Sequence, residues 1–418
     1  MFKSFLLHTH LFLLRIVSRM GVWLGTCIIW FKKPRVVDYK NLNTLYLNRS
    51  DRIGDAIISK PFIKLLIEWL RNNECRAEIV IIASKYNRFL LQDLENPDNY
   101  VRVIEEVKQI DDYESKLSSM IAKHVHFLYK TLLFRWTHGS ERDEQSIFFD
   151  MGGGDLVTIL RYKELYNPII AGPNIFWGSH ILDIALSHSY VHYSNQNLIE
   201  SYIEIVEKAF ALDNAFRNFV YERIGTFYEY DQTPPKTGIC LFIGVKEFRN
   251  LPIATWRRVI HEVSSAFPEE HITVLDDNTN LLYNLFREET FPSNVTLEKN
   301  TFSLSEFTKH IALFAFVVGI DGGWINMVKS LTNSCFINTF AQPNVWSWFT
   351  GDCPRQVTKW QNNWFSTISE IPPHGQVISH MHKTSFWLPT FNIDGNRELF
   401  ADFDTPLLIQ IIHRSLKK

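Results

Sequence analysis

The sequence lacks most of the short signals that name a chemistry. It has no P-loop, no Ser-His-Asp signature, no zinc-ligand spacing and no G-x-G-x-x-G dinucleotide fingerprint; the run Gly152-Gly153-Gly154 has the wrong spacing for the last. It lacks an excess of either charge. Lys and Arg number 43 against 45 Asp and Glu, a net charge of −2, which excludes a general nucleic-acid binder and leaves no nucleic-acid partner expected. Cysteine is scarce and unpaired: Cys27, Cys75, Cys240, Cys335 and Cys353 form no C-x-x-C. That fits a reduced cytoplasmic compartment, with Cys240 and Cys335 as inert residues of apolar strands. Among residues 1–36 the longest uncharged run, Met20 to Phe31, is 12 residues, well short of the ~20 needed to span a bilayer. A small-residue secretory cleavage site is also missing.

The same 36 residues lack any Asp or Glu, yet hold Lys3, Arg15, Arg19, Lys32, Lys33 and Arg35 among Phe, Leu and Trp. A basic, aromatic-rich helical segment of this kind suits a membrane interface. The expectation is a segment (1–36) that attaches the chain peripherally to the cytoplasmic membrane surface. The alternatives are a helix packed on the main body and a true span.

With 418 residues, 46% of them hydrophobic and 21% charged, the chain is too long for one core and suits two globular domains. Strand and helix patterns alternate. Strands are expected at 44–48, 77–83, 100–104, 146–151 and 167–172, and helices at 56–69, 113–133 and 198–211. The stretch Tyr230 to Gly238, with Pro234 and Pro235 between apolar blocks, is the best linker. A second series follows, with strands at 239–244, 272–275, 295–297, 316–320 and 335–339 and helices at 254–266, 278–286, 303–314, 325–331 and 406–416. Alternating βα units imply doubly wound parallel sheets. The expected organisation is a membrane-associating segment at 1–36, a Rossmann-like domain at 37–230 and a linker at 231–238. A second Rossmann-like domain at 239–395 and a C-terminal helix at 396–418 complete it.

Three strand-to-helix turns carry the chemistry. In the first, a short buried strand runs into Asp51-Arg52-Ile53-Gly54-Asp55 and then a helix with Pro61. A carboxylate fixed there can act as a base, and backbone N–H groups at a helix start can hold an anion. In the second, Val317-Val318-Gly319-Ile320 leads into Asp321-Gly322-Gly323-Trp324-Ile325-Asn326, whose glycines admit a close ligand. Glycine pairs of this sort also serve plain packing. In the third, the strand at 239–244 runs into a loop with Lys246 and Arg249 before Leu251-Pro252; such cations neutralise a diphosphate or simply face water. Two weaker patterns read as structural. Asp402-Phe403-Asp404 precedes Pro406 as a helix start. His374, His380 and His382 lack an acidic or Cys partner at metal-ligand spacing, so no metal is expected.

Taken together in this order, the three turns resemble the heptosyltransferase family of lipopolysaccharide assembly, glycosyltransferase family 9, over roughly residues 43–338. Asp51-Arg52-Ile53-Gly54-Asp55 with Pro61 is similar to its opening D-x-x-G-D motif, and Phe148-Phe149-Asp150-Met151 to its fourth-strand D-L-x-G segment. Asp321 to Asn326 is similar to its closing D-[ST]-G-x-x-H motif, and Arg249 to Pro252 to its basic loop before W-P. Gly322, Asn326, Arg249 and Leu251 stand where the family carries a hydroxylic residue, His, Lys and Trp; Asp276-Asp277-Asn278 replaces a Gly-rich turn.

The resemblance implies a GT-B fold, two Rossmann-like domains facing across a cleft, with 37–230 binding the acceptor and 239–395 the nucleotide sugar. It implies inverting, metal-independent transfer of a heptose or related sugar from a nucleoside-diphosphate sugar, ADP-heptose by analogy, to a lipopolysaccharide or lipooligosaccharide core acceptor. Asp55 is the implied general base, with Asp51, Arg52 and Gly54 on the acceptor side. Lys246, Arg249, Asp321, Gly322, Gly323, Trp324 and Asn326 are the implied donor and diphosphate residues. Asp276 and Asp277 are placed at the ribose by position alone. No cofactor beyond the sugar-nucleotide co-substrate is implied; the partners are that donor, an anionic glycolipid and the inner face of the inner membrane. Two rival readings are a non-catalytic sugar-nucleotide-binding or scaffold protein, favoured by Gly322 and Asn326, and a Rossmann-type oxidoreductase, disfavoured by the missing fingerprint.

Overall fold

The computed structural model describes residues 35–50, 53–106, 143–151, 156–174, 182–189, 198–224, 237–244, 253–277, 279–320, 335–340, 375–379 and 405–416. The expected helices at 113–133 and 325–331 lie outside these residues, as does nearly all of the basic segment 1–36. The chain divides into two compact units with a boundary between Gly225 and Thr226.

The first unit is built on a six-stranded sheet. Its strands are β1 (Thr44–Arg49), β2 (Glu78–Ser84), β3 (Val101–Glu106), β4 (Asp143–Asp150), β5 (Pro168–Asn174) and β6 (Ile184–Ser189), in the order 3-2-1-4-5-6. The second carries β7 (Ile239–Phe242), β8 (Ile272–Leu275), β9 (Val295–Glu298), β10 (Phe316–Ile320), β11 (Cys335–Phe340) and β12 (Gly375–Ser379), in the order β9-β8-β7-β10-β11-β12. Counted within its own unit, that is again 3-2-1-4-5-6, the dinucleotide-fold order. Every strand pair in both sheets is parallel. The α/β class with two Rossmann-like domains is therefore as the sequence implied.

Parallel strands covered on both faces read as unbroken apolar runs. In β2 and β7 the runs Ile79-Val80-Ile81-Ile82 and Ile239-Cys240-Leu241-Phe242 are buried throughout. The Cys240 thiol is pushed far up by burial, which suits an inert core residue. Helix α1 (Ile53–Asn72) buries Phe62, Leu65, Leu66, Trp69 and Leu70, one helical stripe. Pro61 lies inside it and removes one rung of its hydrogen-bond ladder. Its other longer helices among the described residues are α2 (Leu156–Tyr166), α3 (Leu198–Phe210) and α4 (Asn214–Ile224). Phe216 of α4 meets Phe62 and Trp69 edge-on, which seats α1.

In the second unit α5 (Ile253–Ala266) buries Trp256, Val259, Ile260 and Val263 against the sheet. Short helices α6 (Leu281–Phe286) and α7 (Leu304–Ile311) follow β8 and β9. The last helix, α8 (Thr405–Leu416), places Leu408 and Ile412 in the same core as Trp256. It is thus part of this domain's packing. Burying each such side chain contributes roughly 1.5–3 kcal/mol.

Several boundaries differ from expectation for local reasons. The helix expected at 278–286 starts only at Leu281, because Asn280 takes a left-handed conformation (φ 53°) that α-helix cannot continue. Strands β6 and β12, and helices α2 and α4, were not expected. The two strands are short sheet edges, and α4 buries Phe216 and Val220, one turn apart.

Candidate active site

In open α/β sheets ligands bind beyond the carboxyl ends of the strands where the strand order reverses. In the first domain that point lies between β1 and β4. Leu47 stands opposite Phe149 and Asn48 opposite Asp150. The chain leaves β1 at Arg49 and Ser50 and enters α1 at Ile53, so Gly54 and Asp55 belong to the helix's first turn. Gly54 is buried. A carboxylate in the first turn is favoured by the helix dipole. The structure thus brings the backbone of Asp55 to the reversal point; Asp51, Arg52 and the Asp55 side chain lie outside the described residues.

Below that turn is a set of buried polar groups drawn from distant parts of the chain. Asn48, Arg49, Ser50 and Asn87 are inaccessible to solvent and Asp150 is nearly so. Asn48 Nδ2 donates to Asp150 Oδ1 at 2.9 Å, and Asn48 Oδ1 accepts from the Ser50 hydroxyl at 2.7 Å. Arg49 Nη1 donates to the Tyr202 hydroxyl at 2.7 Å and to the Met151 carbonyl. Asn87 Nδ2 donates to the Arg49 carbonyl at 2.8 Å, while its Oδ1 accepts from the Ser84 N–H at 2.8 Å. The usable sequence signal is that an apolar buried strand ends in three polar residues, Asn48-Arg49-Ser50.

In the second domain the reversal lies between β7 and β10, with Gly319 opposite Phe242. The segments after these two strands contain Lys246 and Arg249, and Asp321, Gly322, Gly323, Trp324 and Asn326. All seven lie outside the described residues; the strands that precede them end at one edge, side by side. Here β7 ends apolar. The Ile243 N–H donates to the Leu275 carbonyl at 2.9 Å, and Gly244 comes hard against the turn after β8. A Cβ at Gly244 would stand 2.0 Å from the Asp277 nitrogen, so only glycine fits without a backbone shift.

The two aspartates of that turn separate. Asp276 is only 2% exposed. Its Oδ2 accepts the N–H groups of Leu282 and Tyr283 at 2.7 and 3.0 Å, and its Oδ1 that of Asp277 at 2.8 Å. Burial raises its carboxyl above the ordinary range, the Asp277 charge adds to this, and the three N–H bonds oppose it. The Asp276 carboxylate therefore serves as the cap of α6. Asp277 is half-buried and accepts from the Thr279 N–H at 2.9 Å. Asn280 and Asn300 lock the neighbouring loops: Asn280 Nδ2 donates to the Asn300 carbonyl, the Asn300 N–H to Asn280 Oδ1, and Asn300 Nδ2 to the Asp276 carbonyl.

Among the described residues no group of three His, Cys, Asp or Glu side chains could hold a metal, and no helix is long and apolar enough to cross a membrane. His374, His380 and His382 lie outside them. A groove of about 870 Å³ lined by His261, Glu262, Pro406, Ile409 and His413 runs between α5 and α8. It is formed by helix flanks and shares no residue with the strand ends.

The architecture is that of known glycosyltransferases. A glycosyltransferase family 9 protein from Veillonella parvula has the same fold, with a TM-score of 0.55 and 13% identity over 92% of this chain and 99% of that one. The E. coli heptosyltransferase WaaC with ADP-2-deoxy-2-fluoro heptose is similar at a TM-score of 0.50 and 13% identity, over 89% of this chain and 99% of that one. At such identity the likeness speaks for the fold alone. No protein-family model and no curated protein matches the chain.

Proposed function

We propose that the chain is an inverting, metal-independent glycosyltransferase that moves a heptose or related sugar from a nucleoside-diphosphate sugar to a lipopolysaccharide or lipooligosaccharide core acceptor. The observation that carries the reading is the position of Asp55. It stands in the first helical turn after β1, at the strand-order reversal of a 3-2-1-4-5-6 sheet. The segment 321–326 follows the corresponding strand pair of a second sheet of the same order.

In this mechanism the acceptor hydroxyl attacks the anomeric carbon and gives its proton to Asp55 as the bond to the diphosphate oxygen breaks. An unperturbed Asp titrates near ~3.9 and is ionised at neutral pH, ready to accept that proton. Lys246, Arg249 and the N–H groups of Gly322, Gly323 and Trp324 meet the charge developing on the nucleoside diphosphate. Asp321 and Asn326 hold sugar hydroxyls. Asp277 is the ribose acceptor in preference to Asp276, whose oxygens already serve α6. ADP-heptose is the donor to test first, since a structure of the same fold is seen with its fluorinated analogue.

The Asp55→Ala variant is expected to lose transfer by about 10²–10⁴-fold while donor affinity stays near wild type. Turnover at the wild-type rate removes Asp55 as the base. Gly322 and Asn326 favour a second reading, a sugar-nucleotide-binding protein without turnover. That protein would be protected from thermal unfolding by the donor yet release no nucleoside diphosphate with any acceptor. The basic segment 1–36 places the enzyme on the inner face of the inner membrane, each Lys or Arg adding about 1 kcal/mol of attraction to anionic lipid. Deleting it should move the protein to the supernatant on membrane fractionation; an unchanged distribution would make it a packing helix.

A further inference from the structure

The geometry points to a buried polar clamp, centred on Asn48, Arg49 and Asp150 and completed by Asn87 and Tyr202, that positions the first turn of α1 and with it Asp55. This inference rests on the proposed glycosyl transfer only for its catalytic consequence; the positioning itself is a property of the fold.

The clamp grips one short segment from three sides. Asn48 lies on the sheet face of Tyr46, and Asp150 on that of Phe148; both aromatic rings meet Tyr162 of α2 with centroids 5.2 Å away. Arg49 lies on the opposite face. There the Tyr202 hydroxyl of α3 accepts from its guanidinium and donates to the Met151 carbonyl at 3.1 Å. The Tyr202 ring also packs on Phe62 of α1, 5.2 Å between centroids, so one side chain touches both the strand end and the helix that follows it. From the β2 side Asn87 holds the Arg49 carbonyl. Beyond Asn48, the Met151 N–H donates to the Asn48 carbonyl at 3.2 Å.

Sheet stability does not call for this. At the same level β2 offers Ile82 opposite Asn48 and Ala83 opposite Arg49, both apolar and fully buried. A buried cation and a buried anion are costly to desolvate, and apolar replacements of similar volume often fold as well. What a hydrogen-bonded buried network adds is one defined geometry. It lies at the strand end from which the chain reaches the Gly54–Asp55 turn. A base displaced by about 1 Å can lose ~10²-fold in rate. Asn48, Arg49, Asn87, Asp150 and Tyr202 are thus positioning residues.

The test is amide hydrogen exchange and steady-state kinetics on the full chain, with ADP-heptose as donor and rough lipooligosaccharide as acceptor. Asn48→Ala and Asp150→Ala should speed exchange at residues 53–56 about tenfold, with the second domain unchanged. They should lower kcat about tenfold while the donor KM stays within about twofold. Asp150→Asn, which keeps an acceptor for Asn48, should restore both. Tyr202→Phe, which removes one hydroxyl and no volume, should act in the same direction and serves if an alanine variant does not fold. Unchanged exchange at 53–56, or Asp150→Asn behaving like Asp150→Ala, overturns the clamp. The two readings fail separately. A wild type that releases no nucleoside diphosphate, with exchange responding as expected, keeps the clamp and sinks the transferase. A wild type that turns over, with exchange unmoved in every variant, does the reverse.

Discussion

The two domains share a strand order and solve one problem in different ways. The problem is to hold the end of the first strand against the end of the second, beside the strand-order reversal. In the first domain a side chain spans the gap: Asn87 binds the Ser84 N–H at the end of β2 and the Arg49 carbonyl at the end of β1. In the second domain the backbones themselves close up. The Ile243 N–H continues the ladder to Leu275, and Gly244 lies against Asp276 and Asp277 with no room for a methyl group. The first solution depends on hydrogen bonds in a buried place, the second on the absence of a side chain. They should therefore break under different substitutions and by different amounts.

The largest effect is expected at Gly244. In Gly244→Ala the added Cβ would meet the Asp277 nitrogen at 2.0 Å and its Cα at 2.7 Å. Those are backbone atoms, which cannot rotate away as a side-chain tip can. Overpacking of this kind costs about 3 kcal/mol or more. Urea denaturation followed by Trp256 fluorescence should show the second domain's midpoint falling with little change in the first. An unchanged midpoint would mean that β7 and the turn after β8 are not in close contact, and the contrast between the domains would collapse.

A smaller effect is expected in the first domain. Asn87→Ala deletes two hydrogen bonds and leaves the Ser84 N–H and the Arg49 carbonyl without that partner in a buried place. The cost is about 1–3 kcal/mol. It should appear in the first domain's transition alone. Equal losses in both domains would show that the two units unfold as one.

These two positions also show what the sequence does and does not carry. The strands Ile272–Leu275 and Phe316–Ile320 end where the apolar pattern ends, because a parallel strand covered on both faces reads as a nearly continuous apolar run. Edge strands such as Ile184–Ser189 have a neighbour on one side only and need no such pattern. The Asp51–Asp55 turn stands out because acids and a glycine between an apolar run and a helical stripe are a local pattern. The clamp beneath it is not local: Arg49 meets Tyr202 across 153 residues of chain and Asn48 meets Asp150 across 102. In isolation Asn48-Arg49-Ser50 reads as the start of a loop. The local role of Asp276 is hidden for the same reason. Its position suggests a ligand, and only the helix that starts five residues later shows what its oxygens accept.

The smallest expected effect concerns pH and also sharpens the contrast, since it tests whether the backbone solution carries an electrostatic cost. Burial holds the Asp276 carboxyl above its unfolded value of 3.8, against the pull of three N–H donors. A raised acid binds its proton more tightly in the folded state than in the unfolded one. Its contribution to stability is therefore fully present below the unfolded value and is lost as pH rises through the folded one. Asp276→Asn cannot titrate. It can still offer its side-chain oxygen to the Leu282 and Tyr283 N–H groups, at the loss of the bond to Asp277. The second domain of the variant should be slightly less stable at about pH 4 and should then lose less than the wild type on going to about pH 7. Chemical denaturation at the two pH values measures the difference of differences. A steeper loss in the variant would mean that the N–H donors outweigh burial and that the folded carboxyl is in fact depressed.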